Sequence, residues 1–227
     1  MGYYVVIEGL IGVGKTTLAR LVASHLDGRL SLEPNERNPF LEPFYRNPDR
    51  YAFPVQMFYL ATRWRQQELI KQGDLFNDTI VSDYVFAKDR IFAEKTLNSL
   101  ELDLYDRFAG ALCDKAPTPD LVVFLRAPVD VLMQRIAERQ APGECAITVE
   151  YLVDLERRYE LLFADWDACP LLVIDNRDMD YRGDSKARKT VLERIQAALS
   201  GRHTTTKAPG SIADREAQPE LFGVGGV

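Results

Sequence analysis

The chain has little cysteine: Cys113, Cys145 and Cys169 are its only three in 227 residues. Odd in number and far apart, they exclude a C-x-x-C redox or zinc pair and read as reduced, buried small residues. Positive charge is also short. Against 34 Asp+Glu stand 28 Lys+Arg, a net charge of −6. That leaves no broad basic surface for a nucleic-acid backbone, so any cationic site must be local, such as a phosphate pocket. No apolar run approaches the roughly 18 residues of a membrane helix, and the N-terminus lacks the basic and apolar regions of a signal peptide. Met1-Gly2 opens like a myristoylation signal, but Val6 stands where Ser or Thr is required. A cytoplasmic protein with no nucleic-acid and no membrane partner is expected. Hydrophobic residues make up 46% of the chain, enough to bury the core of one α/β domain without a second.

What is present begins with VIEGLIGVGKTTLAR, residues 6–20. Gly9, Gly14, Lys15 and Thr16 fit G-x-x-x-x-G-K-[ST], a loop whose backbone N–H groups wrap phosphates, with the lysine on the β/γ oxygens and the hydroxyl on Mg²⁺. Gly12 and Thr17 complete the candidate phosphate site. A β-branched and aromatic strand pattern precedes the loop and a helical one follows it, so the phosphates would meet a helix N-terminus, which favours anions.

The order then reads strand 3–8, helix 15–26, strand 29–32, helical stretch 39–46, a long helix from Pro54 to Lys71, and strand 79–82. Helices over 85–97 and 101–114, strand 120–125, helices over 128–139 and 148–164, strand 171–175 and helix 185–199 complete it. Five strands alternating with helices predict an α/β fold with a five-stranded parallel sheet covered on both faces, whose ligands gather beyond the carboxyl ends of the strands. Residues 1–200 form this domain. The stretch 201–227 has few core-forming residues and reads as a flexible tail. Within it QPELF, residues 218–222, resembles the Q-x-x-L-F peptides that dock on bacterial sliding clamps, and reads more simply as incidental tail sequence.

Candidate functional residues should follow strands directly. Glu33 does, before Pro34, and reads either as a functional carboxylate or as a solvated turn residue. Asp83 ends TIVSD, where a P-loop protein places an acid near metal and phosphates; it also reads as a helix N-cap. Gln56 and Arg63 project from nearly one face of the long helix, as a binding pair or as two polar residues on a wet face. Arg135 and Arg139, at i and i+4, share a face and suit an anion or the helix macrodipole.

Taken together, GLIGVGKTT, the Glu33-Pro34 pair, YAFPVQMFYLATR at 51–63, the acid after the third strand, KDRIFA at 88–93 and RIAER at 135–139 resemble the deoxynucleoside kinases, over residues 3 to 200. The resemblance implies a three-layer P-loop nucleoside/nucleotide kinase fold and a homodimer. It also implies transfer of the γ-phosphate of ATP or another NTP, with Mg²⁺, to the 5′-hydroxyl of a deoxynucleoside. Position by position, Lys15 and the Thr16 and Asp83 metal site serve the phosphates. Glu33 becomes the general base; Gln56, Arg63 and Asp89 meet the nucleobase; Tyr45 and Glu144 meet the 3′-hydroxyl; Arg135 and Arg139 form a lid over the transferring phosphate.

Two positions depart from the family. Asp83-Tyr84-Val85 stands where Glu-Arg-Ser or Asp-Arg-Ser is usual, and Ala141 replaces a third lid arginine. Both remove positive charge from where phosphoryl oxygens would sit, which implies slower activity or a different acceptor. The competing readings are a thymidylate-type nucleoside monophosphate kinase and a non-catalytic nucleotide-binding protein. The first needs an arginine for the acceptor's own phosphate, and the arginine after Asp83 is the missing one. A signalling GTPase is disfavoured because no N-K-x-D motif occurs. Facing a carboxylate and a Gln amide, deoxyadenosine or deoxycytidine is expected to be the best acceptor.

Overall fold

The computed structural model describes residues 2–33, 38–71, 79–113, 116–140, 147–177, 181 and 183–201. Strands β1 (Tyr4–Gly9), β2 (Arg29–Ser31), β3 (Ile80–Ser82), β4 (Leu121–Arg126) and β5 (Leu171–Asp175) form one sheet in the order β2-β3-β1-β4-β5. Every pair is parallel, with Val5 opposite Val81 and Leu121. All six residues of β1 are buried. Central parallel strands carry helices on both faces, so they read as continuous apolar runs rather than alternating ones.

Helix α1 (Lys15–His25) lays Leu18, Ala19, Val22 and Ala23 on the sheet. Helix α7 (Val149–Ala164) buries Leu152, Leu155, Tyr159 and Phe163, and the Phe163 ring lies 4.4 Å from that of Phe124 on β4. Helices α6 (Val129–Arg139) and α8 (Ser185–Leu199) contribute Leu132, Ile136, Val191 and Ile195 to the same core. A second cluster, Ala52, Leu60, Ala93, Leu97 and Tyr105, joins α3 (Pro48–Lys71), α4 (Asp89–Thr96) and α5 (Ser99–Cys113). The short α2 (Leu41–Arg46) packs on α3.

Two elements depart most from the sequence pattern. Helix α3 starts at Pro48 rather than Pro54, which lies inside it. Pro48 occupies a first helical position, where its missing N–H has no partner to lose, and Asn47 Oδ1 accepts from Arg50 N at 3.3 Å. Pro54 forgoes one helical hydrogen bond, and burial of its neighbours Ala52 and Val55 keeps the turn in place. The segment 85–97 is not one helix. A 3-10 turn (Phe86–Lys88) precedes α4 and brings Lys88 and Asp89 inward, both buried.

The strand order sets β3 between β1 and β2, so the segments leaving their carboxyl ends converge. They carry the glycine loop, Glu33 and Asp83 to one edge. Pro34, Ala141, Glu144 and the tail with QPELF lie outside the described residues.

Candidate active site

Gly9, Gly12 and Gly14 have φ of 152°, 83° and 100°. A Cβ on Gly9 would come 2.4 Å from Leu125 O, so only glycine lets the loop leave β1 beside β4. Gly14 stands in the N-cap position of α1 with no side-chain cap and no acid in the first turn. The amides of Lys15, Thr16 and Thr17 therefore open the helix toward any anion held in the loop. Lys15 Nζ donates to Gly9 O at 2.7 Å and Leu10 O at 3.0 Å. Burial pushes its ammonium below the ordinary lysine value, against the pull of Glu8.

Asp83 joins the loop to the second strand. Thr16 Oγ1 donates to Asp83 Oδ2 at 2.5 Å, and Glu33 N donates to Asp83 Oδ1 at 2.8 Å. Both carboxylate oxygens are thus engaged with site residues, and Asp83 caps no helix: the 3-10 turn that follows has Val85 in its cap position. A hydroxyl and a carboxylate are hard oxygen ligands that suit Mg²⁺, which takes one or two protein oxygens and completes its shell with water and phosphate.

Five charged side chains meet behind this pair. Arg63 binds Glu33 through Nη2 and Asp89 through Nη1. Lys88 Nζ lies 3.2 Å from Glu33 Oε2 and 3.7 Å from Glu8 Oε2. Burial alone would raise the Glu33 carboxyl, but the charges of Lys88 and Arg63 outweigh it and hold the group well below the usual carboxylate range. Arg63 is pushed above its ordinary value by Glu33 despite burial. Its guanidinium also stacks 4.6 Å from the Tyr59 ring centroid and 5.7 Å from that of Tyr84. Apart from Arg63, neither Asp89 oxygen takes a hydrogen bond among the described residues.

Gln56 and Arg63 are 4% and 3% exposed, so they do not line a wet face. Gln56 Nε2 donates to Thr96 Oγ1 at 3.0 Å, and that hydroxyl donates to Phe92 O at 2.7 Å. With its proton committed, Thr96 can only accept, which fixes the Gln56 amide. Tyr45, on α2, is half-buried and lies near the phenols of Tyr59 and Tyr151. Arg135 Nη2 donates to Asn176 O at 3.0 Å, tying α6 to the end of β5. Arg139 is exposed at the end of α6.

The position that departs from the family is buried. Tyr84 has no exposed surface; its hydroxyl donates to Gln66 Oε1 at 2.8 Å and accepts from Gln67 Nε2 at 3.3 Å. No arginine stands there, yet Lys88 places another cation beside Glu33. Sequence reasoning passed over Lys88 and Glu8. Glu8 carried a signal, a carboxylate in the middle of an apolar strand, which implies a buried partner. It also missed a clasp on the loop: Asn176 Nδ2 donates to Val13 O and, at 3.0 Å, to Tyr181 OH, and Tyr181 OH donates to Gly14 O at 3.3 Å.

A glycine loop between β1 and α1, with an acid after β3 beside its Thr16 hydroxyl, is the site of a P-loop nucleotide-binding fold. The chain matches the family described as deoxynucleoside kinase over residues 5–200, and it belongs to that family. A deoxyguanosine kinase of Bacillus subtilis (strain 168) is 34% identical over 200 residues, covering 86% of this chain and 94% of its own. A deoxyadenosine/deoxycytidine kinase of the same organism is 28% identical over 202 residues, covering 86% and 92%. A solved deoxyadenosine kinase from M. mycoides, with the products dCMP and a flexible dCDP bound, has a TM-score of 0.74 at 25% identity, covering 87% of this chain and 99% of that one. No described helix is long and apolar enough to cross a membrane.

Proposed function

We propose that this phosphotransferase moves the γ-phosphate of ATP, or of another NTP, to the 5′-hydroxyl of a deoxynucleoside, as a cytoplasmic homodimer in nucleotide salvage. The observation that carries the reading is the chain Thr16–Asp83–Glu33, which sets the phosphate loop and the proposed base two hydrogen bonds apart. Mg²⁺ would be held by Thr16 and Asp83 and would neutralise phosphate charge when bound. Lys15 leaves its two carbonyls for the phosphate oxygens, and Arg135 and Arg139 close from α6. Glu33 is ionised and a weak base. That suffices, because a loose phosphoryl-transfer transition state asks mainly for an oriented hydroxyl and stabilised charge.

Tyr45 and Glu144 are assigned to the 3′-hydroxyl. Gln56, Arg63 and Asp89 are assigned to the base, where the free acceptor capacity of Asp89 suits an amino group. Deoxyadenosine or deoxycytidine comes first in this reading, deoxyguanosine next and thymidine last. A second reading, with deoxyguanosine first, is favoured by the 34% identical relative of that activity. The homodimer draws on α5, where Leu100, Leu104 and Phe108 are 83%, 43% and 49% exposed along one face. Coupled turnover with the four deoxynucleosides, their monophosphates and no acceptor tests the whole assignment. Turnover on monophosphates alone, or on none, would overturn it.

A further inference from the structure

Lys88 is 3% exposed, and an ammonium at that depth is unfavourable unless paired. Two carboxylates face it, and they differ in what else holds them. Glu8 accepts from Gly9 N at 2.8 Å, Val85 N at 2.9 Å and Tyr159 OH at 3.2 Å, so both its oxygens are satisfied without the lysine. The Glu33 carboxylate meets two cations. Arg63 takes Oε1 and Lys88 takes Oε2, at 3.2 Å. Each oxygen thus has its own cation, which fixes the plane of the carboxylate. Arg63 is shared with Asp89. Without Lys88 the carboxylate would lose the cation at Oε2, and with it the contact that sets its plane from that side.

We infer that Lys88 is the positioning residue for Glu33: it aims the carboxylate at the acceptor hydroxyl, from the 3-10 turn. The inference rests on the reading of Glu33 as the group that meets that hydroxyl. Tyr84 is then a wall of the site, with the Lys88 ammonium 5.9 Å and the Arg63 guanidinium 5.7 Å from its ring centroid.

The test is steady-state kinetics on the full chain, with ATP, Mg²⁺ and a deoxynucleoside that the wild type accepts, for Lys88→Gln, Lys88→Met, Lys88→Arg, Glu33→Gln and the Lys88→Gln/Glu33→Gln double variant. A carboxylate that loses its aim lowers kcat about tenfold to a hundredfold, with KM for the acceptor changed much less. Lys88→Arg recovers most of the rate. In the Glu33→Gln background Lys88→Gln has no further effect, because the lysine acts through the carboxylate already removed. Equal losses in both backgrounds, an unchanged kcat in Lys88→Gln, or loss of folded protein in both neutral variants would overturn the inference and leave Lys88 a part of the fold. The two assignments fail separately. An unchanged rate in Glu33→Gln alone removes the base and this inference with it, whereas a slow Glu33→Gln without coupling to Lys88 removes only the inference.

Discussion

Thr16 Oγ1 and Asp83 Oδ2 stand 2.5 Å apart, so the segments leaving β1 and β3 touch through two side chains that suit one cation. Asp83 also holds Glu33 N at 2.8 Å, so a change at this carboxylate reaches both halves of the site. Asp83→Asn keeps the shape and removes the charge. Turnover should fall, and the Mg²⁺ concentration for half-maximal rate should rise about tenfold or more, as when a metal ligand set is disturbed. A titration of rate against Mg²⁺ checks it, and an unchanged midpoint would remove Asp83 from the metal site.

Lys15→Ala should lower turnover by on the order of 10²-fold or more while leaving the fold intact, since electrostatic groups carry most of phosphoryl-transfer catalysis. The fold is expected to survive because, among the described residues, Nζ holds two loop carbonyls, Gly9 O and Leu10 O. Thermal unfolding with and without ATP distinguishes the two effects: the midpoint without ATP stays near the wild type and the rise produced by ATP shrinks. Near-normal turnover would refute the phosphate-loop assignment.

Tyr84→Arg would restore the family pattern, and the structure argues for a fall in rate. The ring is wholly buried and its hydroxyl bridges Gln66 and Gln67. A guanidinium there would lose that bridge and bring a charge into a wholly buried position shaped for a ring. Lower kcat and a lower unfolding midpoint are expected. A faster enzyme would show that the site is an attenuated version of the family's.

The glycine loop was legible because its demands are local: positive φ at Gly9, Gly12 and Gly14 admits almost nothing else, and strand, loop and helix follow one another in the chain. Glu33, Asp83, Gln56, Arg63 and Asp89 were legible only as a set, through resemblance. Singly, each fits a turn, a cap or a wet face. Glu8 showed only as a carboxylate in an apolar strand, and its pairing with Lys88 was not legible, since that depends on how β1 and the 3-10 turn pack and no spacing encodes it. The start of α3 was misplaced for a related reason: a proline reads as a helix start, and only tertiary burial shows that Pro54 sits inside.

Glu33 makes stability pH-dependent in a definite direction. Its folded carboxyl lies below the ordinary value of 4.5, held there by Lys88 and Arg63 against burial. The ion pairs therefore contribute fully above that value and fade as the pH falls from it toward the folded one. Glu33→Gln cannot titrate and leaves Arg63 and Lys88 facing a neutral amide. The gap in urea midpoint between wild type and Glu33→Gln should be constant from about pH 6 to 8 and should narrow below 4.5. A gap that widens on acidification would mean that Glu33 is not the stabilising partner of these cations.

The base assignment turns on Asp89, which is 4% exposed and has acceptor capacity that Arg63 does not fill. An ionised carboxylate can only accept, so it suits the amino group of adenine or cytosine. Gln56, held by Thr96, can meet the neighbouring ring position. Thymine presents a carbonyl where cytosine has its amino group, and two acceptors opposed in a desolvated pocket lose roughly 1–3 kcal/mol, about one to two decades in kcat/KM. Guanine falls between: its O6 suits Arg63, and its 2-amino group is a second donor for Asp89. Thymidine should therefore be the poorest acceptor whichever of the other three is best, ranked by kcat/KM because that ratio discriminates competing substrates. Asp89→Ala should narrow the gap between deoxycytidine and thymidine by damaging the former, while Arg63 keeps its contact with Glu33. If thymidine proved the best acceptor of the wild type, the roles of Gln56, Arg63 and Asp89 would fall, and the phosphate site with Glu33 would still stand.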